Sequence, residues 1–332
     1  FKEYEAGRTP NQDVMCNKFV KFGVWMEKAR ELGYDFLATG HYARLGREFS
    51  IFNFQFSINF QFPISNIQLL QAVDDNKDQT YFLHQLTQEQ LRYVMFPIGE
   101  YTKDEVRKLA RKFALPTAEK EESMGICFIG EVPMKEFLET RIKSKIGKIV
   151  LSDGSVIGEH DGLPFYTIGQ RVGIKCHAEE SKHLPFINEY KGNKKILRSA
   201  QDDNKPFFVI SKDLKNNILI VGHEDDPFLY KKEIEIGEIN WIGGQEPKFP
   251  LKCEVRLRHR QVLQRAVVRL QTTDYRLQPN QAVVRRPLTV VFHNPQRAVT
   301  PGQFAVFYSV RRSSRGAKEG KKGECLGGGV IL

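Results

Sequence analysis

Two cysteines in this chain stand where a thiol can react. Cys16 closes the stretch TPNQDVMC, three residues after Asp13, and the pattern places it at the start of a helix behind a loop containing Pro10. A helix N-terminus carries about half a positive charge, which favours thiolate over thiol, and Lys18 adds to that field. Cys127 lies in GICFIGE, where Gly125 and Gly130 permit close backbone approach and a bend. For either residue alone the plain alternative is inert packing, because unpaired cysteine is among the most buried residue types. As a pair on loops of one domain, the two suit persulfide or disulfide-exchange chemistry, in which one thiolate attacks and the other resolves or carries sulfur. The rival chemistry is ligation of a metal or iron–sulfur cluster by Asp13, Cys16 and Cys127, three ligands drawn from two segments. The other cysteines, Cys176, Cys253 and Cys325, form no CxxC pair with each other or with these two. No zinc spacing results, and an odd count of five without a secretion signal argues for a reducing compartment.

Elements must bring these residues together. Residues 17–32 carry apolar side chains at helical spacing (Phe19, Phe22, Trp25, Met26, Ala29), and Gly33 follows as a C-cap. A buried strand over 36–38 then runs into a glycine turn holding Gly40 and His41. Helix, glycine, strand and turn are α/β grammar, and α/β sheets place ligands at the carboxyl ends of their strands. Residues 51–62, IFNFQFSINFQF, alternate strictly and read as a strand or hairpin without chemistry of its own. The polar turn DNKDQ precedes an expected amphipathic helix over 81–93. A second helix is expected over 102–113, where Thr102 and Glu105 spell a capping box, and a short third one over 135–142.

Beyond Gly147 the character changes to short apolar runs broken by Asp-Gly and Asn-Asn turns, which is hairpin grammar. The strands continue to the end and suggest a small C-terminal β-barrel. Within it, 256–269 reads RLRHRQVLQRAVVR with no acid, an expected strand with one basic face. A solvated sheet face is the plain reading of that run. A formal net charge of +10 gives weight to a polyanionic partner such as nucleic acid. No apolar run approaches the roughly 20 residues of a membrane helix. The opening FKEYEAGR carries no leader pattern and starts without Met as if within a helix, so a partial chain is expected.

The segments GRTPNQDVMCNKFVKF, ATGHYAR, DNKDQTYFL, GICFIGE, GLPFYTIGQR, KDLKNNILIVG, RHRQ, VTPGQFAVFY and CLGGGVI occur in this order. Together they resemble the tRNA-specific 2-thiouridylase family over the whole chain. The resemblance implies an α/β fold, a partial Rossmann-like ATP-pyrophosphatase domain (1–142), then a small β-rich central domain (143–228) and a C-terminal β-barrel that contacts tRNA (229–332). It implies a cytoplasmic enzyme that uses ATP with Mg2+ to adenylate the C2 oxygen of a wobble uridine. Sulfur from a cysteine persulfide, charged by a donor protein, then replaces that oxygen. Residue by residue, Cys16 matches the nucleophile, Cys127 the persulfide carrier and Asp13 the general base. Asn11, Gln12 and Asp13 match contacts to the target base, and Gly40 lies in the nucleotide turn. His41, Lys77, Asp78, Gln79, Arg258, His259 and Gln303 match tRNA contacts.

Three departures qualify the expectation. No SGGVDSS-type phosphate loop precedes GRTPNQ, so the chain as given is expected to hold little of the ATP phosphate site. Gln12 stands where the family usually has Pro, which is expected to loosen the loop that aims Cys16. His259 replaces a commoner aromatic, and the insertions at 51–68, 188–205 and 313–324 are unusual for the family. A catalytically incomplete RNA-binding remnant and a thiol oxidoreductase without an RNA partner are the competing readings.

Overall fold

The computed structural model describes residues 1–46, 67–120, 132–173, 205–271, 287–310 and 323–332. The expected strand at 51–62, Cys127 with its GICFIGE segment, Cys176 and nearly all of the three insertions lie outside the described residues.

The first strands are β1 (Leu37–Ala38), β2 (Ala43–Gly46), β3 (Gln68–Gln71) and β4 (Val94–Met95). The middle set comprises β5 (Gly147–Leu151), β6 (Val156–His160), β7 (Arg171–Val172), β8 (Phe207–Asp213) and β9 (Ile218–Gly222). The last set comprises β10 (Tyr230–Trp241), β11 (Leu251–Arg256), β12 (Gln264–Leu270), β13 (Leu288–Arg297), β14 (Phe304–Tyr308) and β15 (Glu324–Ile331). Packing gathers them into two compact units.

One unit consists of Phe1–Thr9, Pro133–Lys231 and Gln296–Thr300. It holds a five-stranded sheet in the order β6-β5-β9-β8-β7, with β5 and β9 parallel and the other pairs antiparallel. The expected hairpins are present: Gly154 and Asn217 take the left-handed conformation their turns need. Alternating inward residues, Ile149, Val209, Leu219 and Val221, make the core with Leu163 and Val172. The third expected helix appears as Met134–Glu139, and its Leu138 packs with Tyr4 of the opening segment. The opening residues therefore pack with the central β domain and not with the α/β segment that follows them.

The other unit consists of Pro10–Val132, Lys232–Pro295 and Pro301–Leu332. A six-stranded barrel runs β10-β13-β12-β11-β14-β15 and closes through antiparallel β10–β15 pairing. Two strands from the N-terminal segment extend it, since β3 pairs with β15 and β2 with β3. Leu288, Val290 and Phe292 of β13 and Ala266 and Val268 of β12 point inward at every second position, as a barrel interior requires. All of β14 is buried, because N-terminal side chains cover it from outside. Val14, Phe22, Met26, Tyr81 and Leu83 share one core with Phe304, Val306, Tyr308 and Cys325. Each such fully buried large side chain contributes about 1.5–3 kcal/mol, so this segment and the barrel form one cooperative body.

Two expected helices differ in detail. The helix over 17–32 is longer, starting at Gln12, and it winds as a π-helix from Cys16 to Val24 before returning to α-form at Trp25. The wider winding brings positions four apart into line, so Phe22 and Met26 are buried while Phe19 and Trp25 of the expected stripe face outward. Gly33 ends the helical region with φ +83°. The single helix expected over 81–93 is two, Thr80–Leu83 and Gln88–Arg92. Asn240 Nδ2 takes the carbonyls of His84 (2.8 Å) and Leu86 (3.0 Å), which a continuous helix would have used. Thr87 and Gln90 then cap the second piece reciprocally. The helix capped by Thr102 and Glu105 forms as expected, over Lys103–Lys112.

Candidate thiol and nucleic-acid site

The loop TPN ends at Asn11, whose side chain accepts the Val14 N–H (3.1 Å) and so caps the helix beginning at Gln12. Asn11 Nδ2 also donates to Gln303 Oε1 at 3.1 Å. Two residues expected at one site, but distant in sequence, are thereby joined. Gln303 is held in turn by its backbone carbonyl, which accepts the Ile331 N–H of β15 at 2.8 Å.

This cap corrects one expectation. Cys16 does not open the helix: its N–H already bonds back to Gln12, so the terminal N–H groups and their field belong to Gln12, Asp13 and Val14. Gln12 is the first helical residue, the position where Pro is favoured for its preset φ. Asp13 and Cys16, three apart, lie on the same face of the helix, and Cys16 is half-buried. Behind them the helix is fastened by Asn17 Nδ2 to the Phe82 carbonyl (3.2 Å), Lys18 Nζ to Gln85 Oε1 (3.0 Å) and Gln90 Nε2 to the Phe22 carbonyl (2.7 Å). Lys18, expected to act on Cys16, is thus engaged with Gln85.

At the carboxyl end of β1, Gly40 is exposed. A Cβ added there would meet nothing within 4 Å, so the backbone is open on that side. The neighbouring His41 is turned inward, 6% exposed, between Phe22 and Phe96, with Thr39 Oγ1 at 2.8 Å from its Nδ1. Burial pushes its pKa down to about 3, and Lys21 acts in the same direction, so the ring is neutral. His41 forms part of the wall behind the turn that was expected to contact tRNA.

The DNKDQ turn is organised by Asp74, which accepts the Asn76 and Lys77 N–H groups on one oxygen and the Lys103 N–H on the other. Lys77 is half-exposed at its crest. Asp78 is not exposed. Its carboxylate meets Arg256 Nη1 at 2.9 Å and accepts from Gln71, Thr80 and the Ala72 N–H. Gln79 exchanges two hydrogen bonds of 2.9 Å with the Tyr42 backbone, one through its N–H and one through Oε1. Asp78 and Gln79, expected as tRNA contacts, therefore spend their side chains on the framework that presents Lys77.

Beyond β11 the chain turns at 257–261. Arg258 and Arg260 are exposed, and Arg260 takes φ +66°. The His259 ring lies on Phe82, with centroids 4.5 Å apart. Its pKa falls to about 4, first through burial and then through Arg260, with Arg256 and Lys77 also opposing protonation. The neutral, half-buried ring lies beside the exposed cations Arg258 and Arg260. Sequence reasoning missed Asn17, Phe82 and Arg256. Only Arg256 left a signal, as the first member of the RLRHR run.

Among the described residues no group of three or more His, Cys, Asp or Glu side chains could hold a metal ion. Cys127, the third ligand of the iron–sulfur alternative, lies outside them.

A capped helix carrying a thiol, packed on a barrel that offers exposed arginines, belongs to a chain built as an α/β segment followed by two β domains. Three family models match in that order: the tRNA methyl transferase HUP domain over residues 1–131, the tRNA methyl transferase PRC-barrel domain over 135–223 and the aminomethyltransferase beta-barrel domain over 231–331. The chain is 40% identical over 331 residues to the tRNA-specific 2-thiouridylase MnmA of Levilactobacillus brevis, covering 99% of this chain and 73% of that protein. It is 40% identical over 332 residues to the MnmA of Streptococcus mutans, with the same two coverages. With the MnmA of Geobacillus thermodenitrificans it shares 38% over 336 residues, 99% of this chain and 72% of the relative. The chain belongs to the tRNA-specific 2-thiouridylase (MnmA) family.

Proposed function

We propose that this protein thiolates the wobble uridine of tRNA at C2, with ATP as the activating substrate. One observation carries the reading: Cys16 sits on a helix whose cap, Asn11, is bonded to Gln303 of the barrel half, so thiol and RNA-facing loops belong to one body. Uracil C2 is a poor electrophile until its oxygen becomes a leaving group. Attack of that oxygen on the α-phosphorus of ATP, with loss of pyrophosphate, makes AMP the leaving group. The terminal sulfur of a persulfide on Cys127 then adds to C2 as AMP departs. Cys16 thiolate attacks the inner sulfur of Cys127, leaving a disulfide and freeing sulfur on the base, and an external thiol reductant reopens the pair.

Asp13, on the Cys16 face of the helix, serves as the base. Asn11 and Gln12 flank the target base. Gly40 leaves its backbone open for the nucleotide, whose Mg2+ comes with the phosphates. Lys77, Arg258 and Arg260 meet RNA phosphates, and His259 on Phe82 stacks an unpaired base. A wobble base must leave its stack to be reached, so contacts spread over several loops fit the task. The partners are tRNA and a persulfide-donating protein, and the compartment is the cytoplasm. No helix of the described residues is long and apolar enough to cross a membrane. The test is incubation with ATP, Mg2+, a persulfide donor and tRNA, followed by nucleoside mass spectrometry. The expected result is 2-thiouridine formed with equimolar AMP. Tight tRNA binding without ATP consumption would contradict it.

A further inference from the structure

We propose that Arg256 is a positioning residue for RNA recognition, its one guanidinium fixing the loop that carries Lys77 to the loop that carries Arg258. The inference rests on the tRNA reading above. Arg256 Nη1 donates to Asp78 Oδ2 at 2.9 Å while Nε donates to the Gln261 carbonyl at 2.8 Å. Both charged side chains are buried, at 6% and 0% exposure. Asp78 directly follows Lys77, and its other acceptor sites are taken by Thr80, Gln71 and a backbone N–H, so it cannot swing. The Gln261 carbonyl closes the turn 257–261, which a second bond, Leu257 N–H to Gln261 Oε1 at 2.7 Å, holds shut.

A buried ion pair is weak evidence for stability, because apolar replacements are often as stable. What this pair supplies is geometry. The planar fork reaches two acceptors in fixed directions, which a lysine ammonium on a flexible stem cannot reproduce. Both loops also act on the same side chain, since Lys77 and Arg260 each oppose protonation of His259. One guanidinium sets the register of the two loops.

The test is tRNA binding across a salt series, well below the melting temperature of each protein. Two variants are used: Arg256→Lys, which keeps the charge, and the double Asp78→Asn/Arg256→Gln, which removes the pair without leaving a lone buried charge. Each phosphate contact contributes about 0.7–0.9 to the slope of log K against log salt. Loss of register is expected to lower that slope by roughly 1–2 and affinity by about tenfold in both variants. A purely structural role would lower the melting temperature and leave the slope of the folded protein unchanged, and that result would overturn the inference. A wild-type protein without salt-dependent tRNA binding would overturn the underlying reading and this inference with it. Normal wild-type binding with unchanged variants would overturn the inference alone.

Discussion

Asn11 donates to Gln303 at 3.1 Å across 292 residues of sequence, while its own oxygen caps the helix that carries Cys16. The cap and the cross-chain bond are separable. Gln303→Ala should remove the bond and keep the cap, whereas Asn11→Ala should remove both, at a further cost of about 1 kcal/mol. A double-mutant cycle by denaturant unfolding should return a coupling of about 0.5–1.5 kcal/mol. A coupling near zero would mean that the two residues do not share an interaction in solution.

Gly99 marks a close approach that the site depends on. A Cβ there would fall 1.7 Å from the Ala43 carbonyl oxygen, two residues after His41. The Gly99 carbonyl in turn accepts the Val73 N–H at 3.0 Å, just before the Lys77 turn. Gly99→Ala must push β2 away, and a loss of roughly 3 kcal/mol or more is expected. Thermal unfolding measures it. A variant as stable as the parent would show that this packing is wrong.

Three histidines make stability depend on pH. Burial lowers the pKa of His41 to about 3, and of His84 and His259 to about 4, against about 6.5 in the unfolded chain. Above pH 7 all three are neutral in both states and contribute no slope. As the pH falls from about 6.5 toward 4, the unfolded state binds protons that the folded state refuses, so stability must fall. His259→Phe keeps a ring on Phe82 and removes one of the three. Melting temperatures taken between pH 7 and pH 4 should decline less steeply in this variant, and parallel curves would refute the assignment of His259.

Local signals were legible in the sequence, and long-range ones were not. Thr102 with Glu105 and Gly33 announced a helix start and a helix end because caps are built from neighbours. Thr87 and Gln90 carry the same signature, but the expected helix ran through them, since its interruption comes from Asn240, 156 residues after His84. The joining of β2 and β3 to the barrel through β15 left no trace in strands of four residues. At the site, the sequence picked out Asn11, Cys16, Gln303 and Arg258, and the fold gathers them in one unit. A polar turn and a glycine turn read as surface, yet the fold buries the side chains of Asp78 and His41. The partners that draw both side chains inside, Arg256 and Phe96, lie far along the chain.

The central claim is that Cys16 is a reacting thiol and not part of the core. It is tested most directly by a 2-thiouridine assay on tRNA with Cys16→Ser beside the wild type and Cys127→Ser, with tRNA affinity measured in parallel. The account predicts that both variants lose thiolation while affinity stays within about twofold, since a serine hydroxyl nearly preserves the volume but neither carries nor displaces sulfur. A Cys16→Ser protein that still forms 2-thiouridine at the wild-type rate would contradict it.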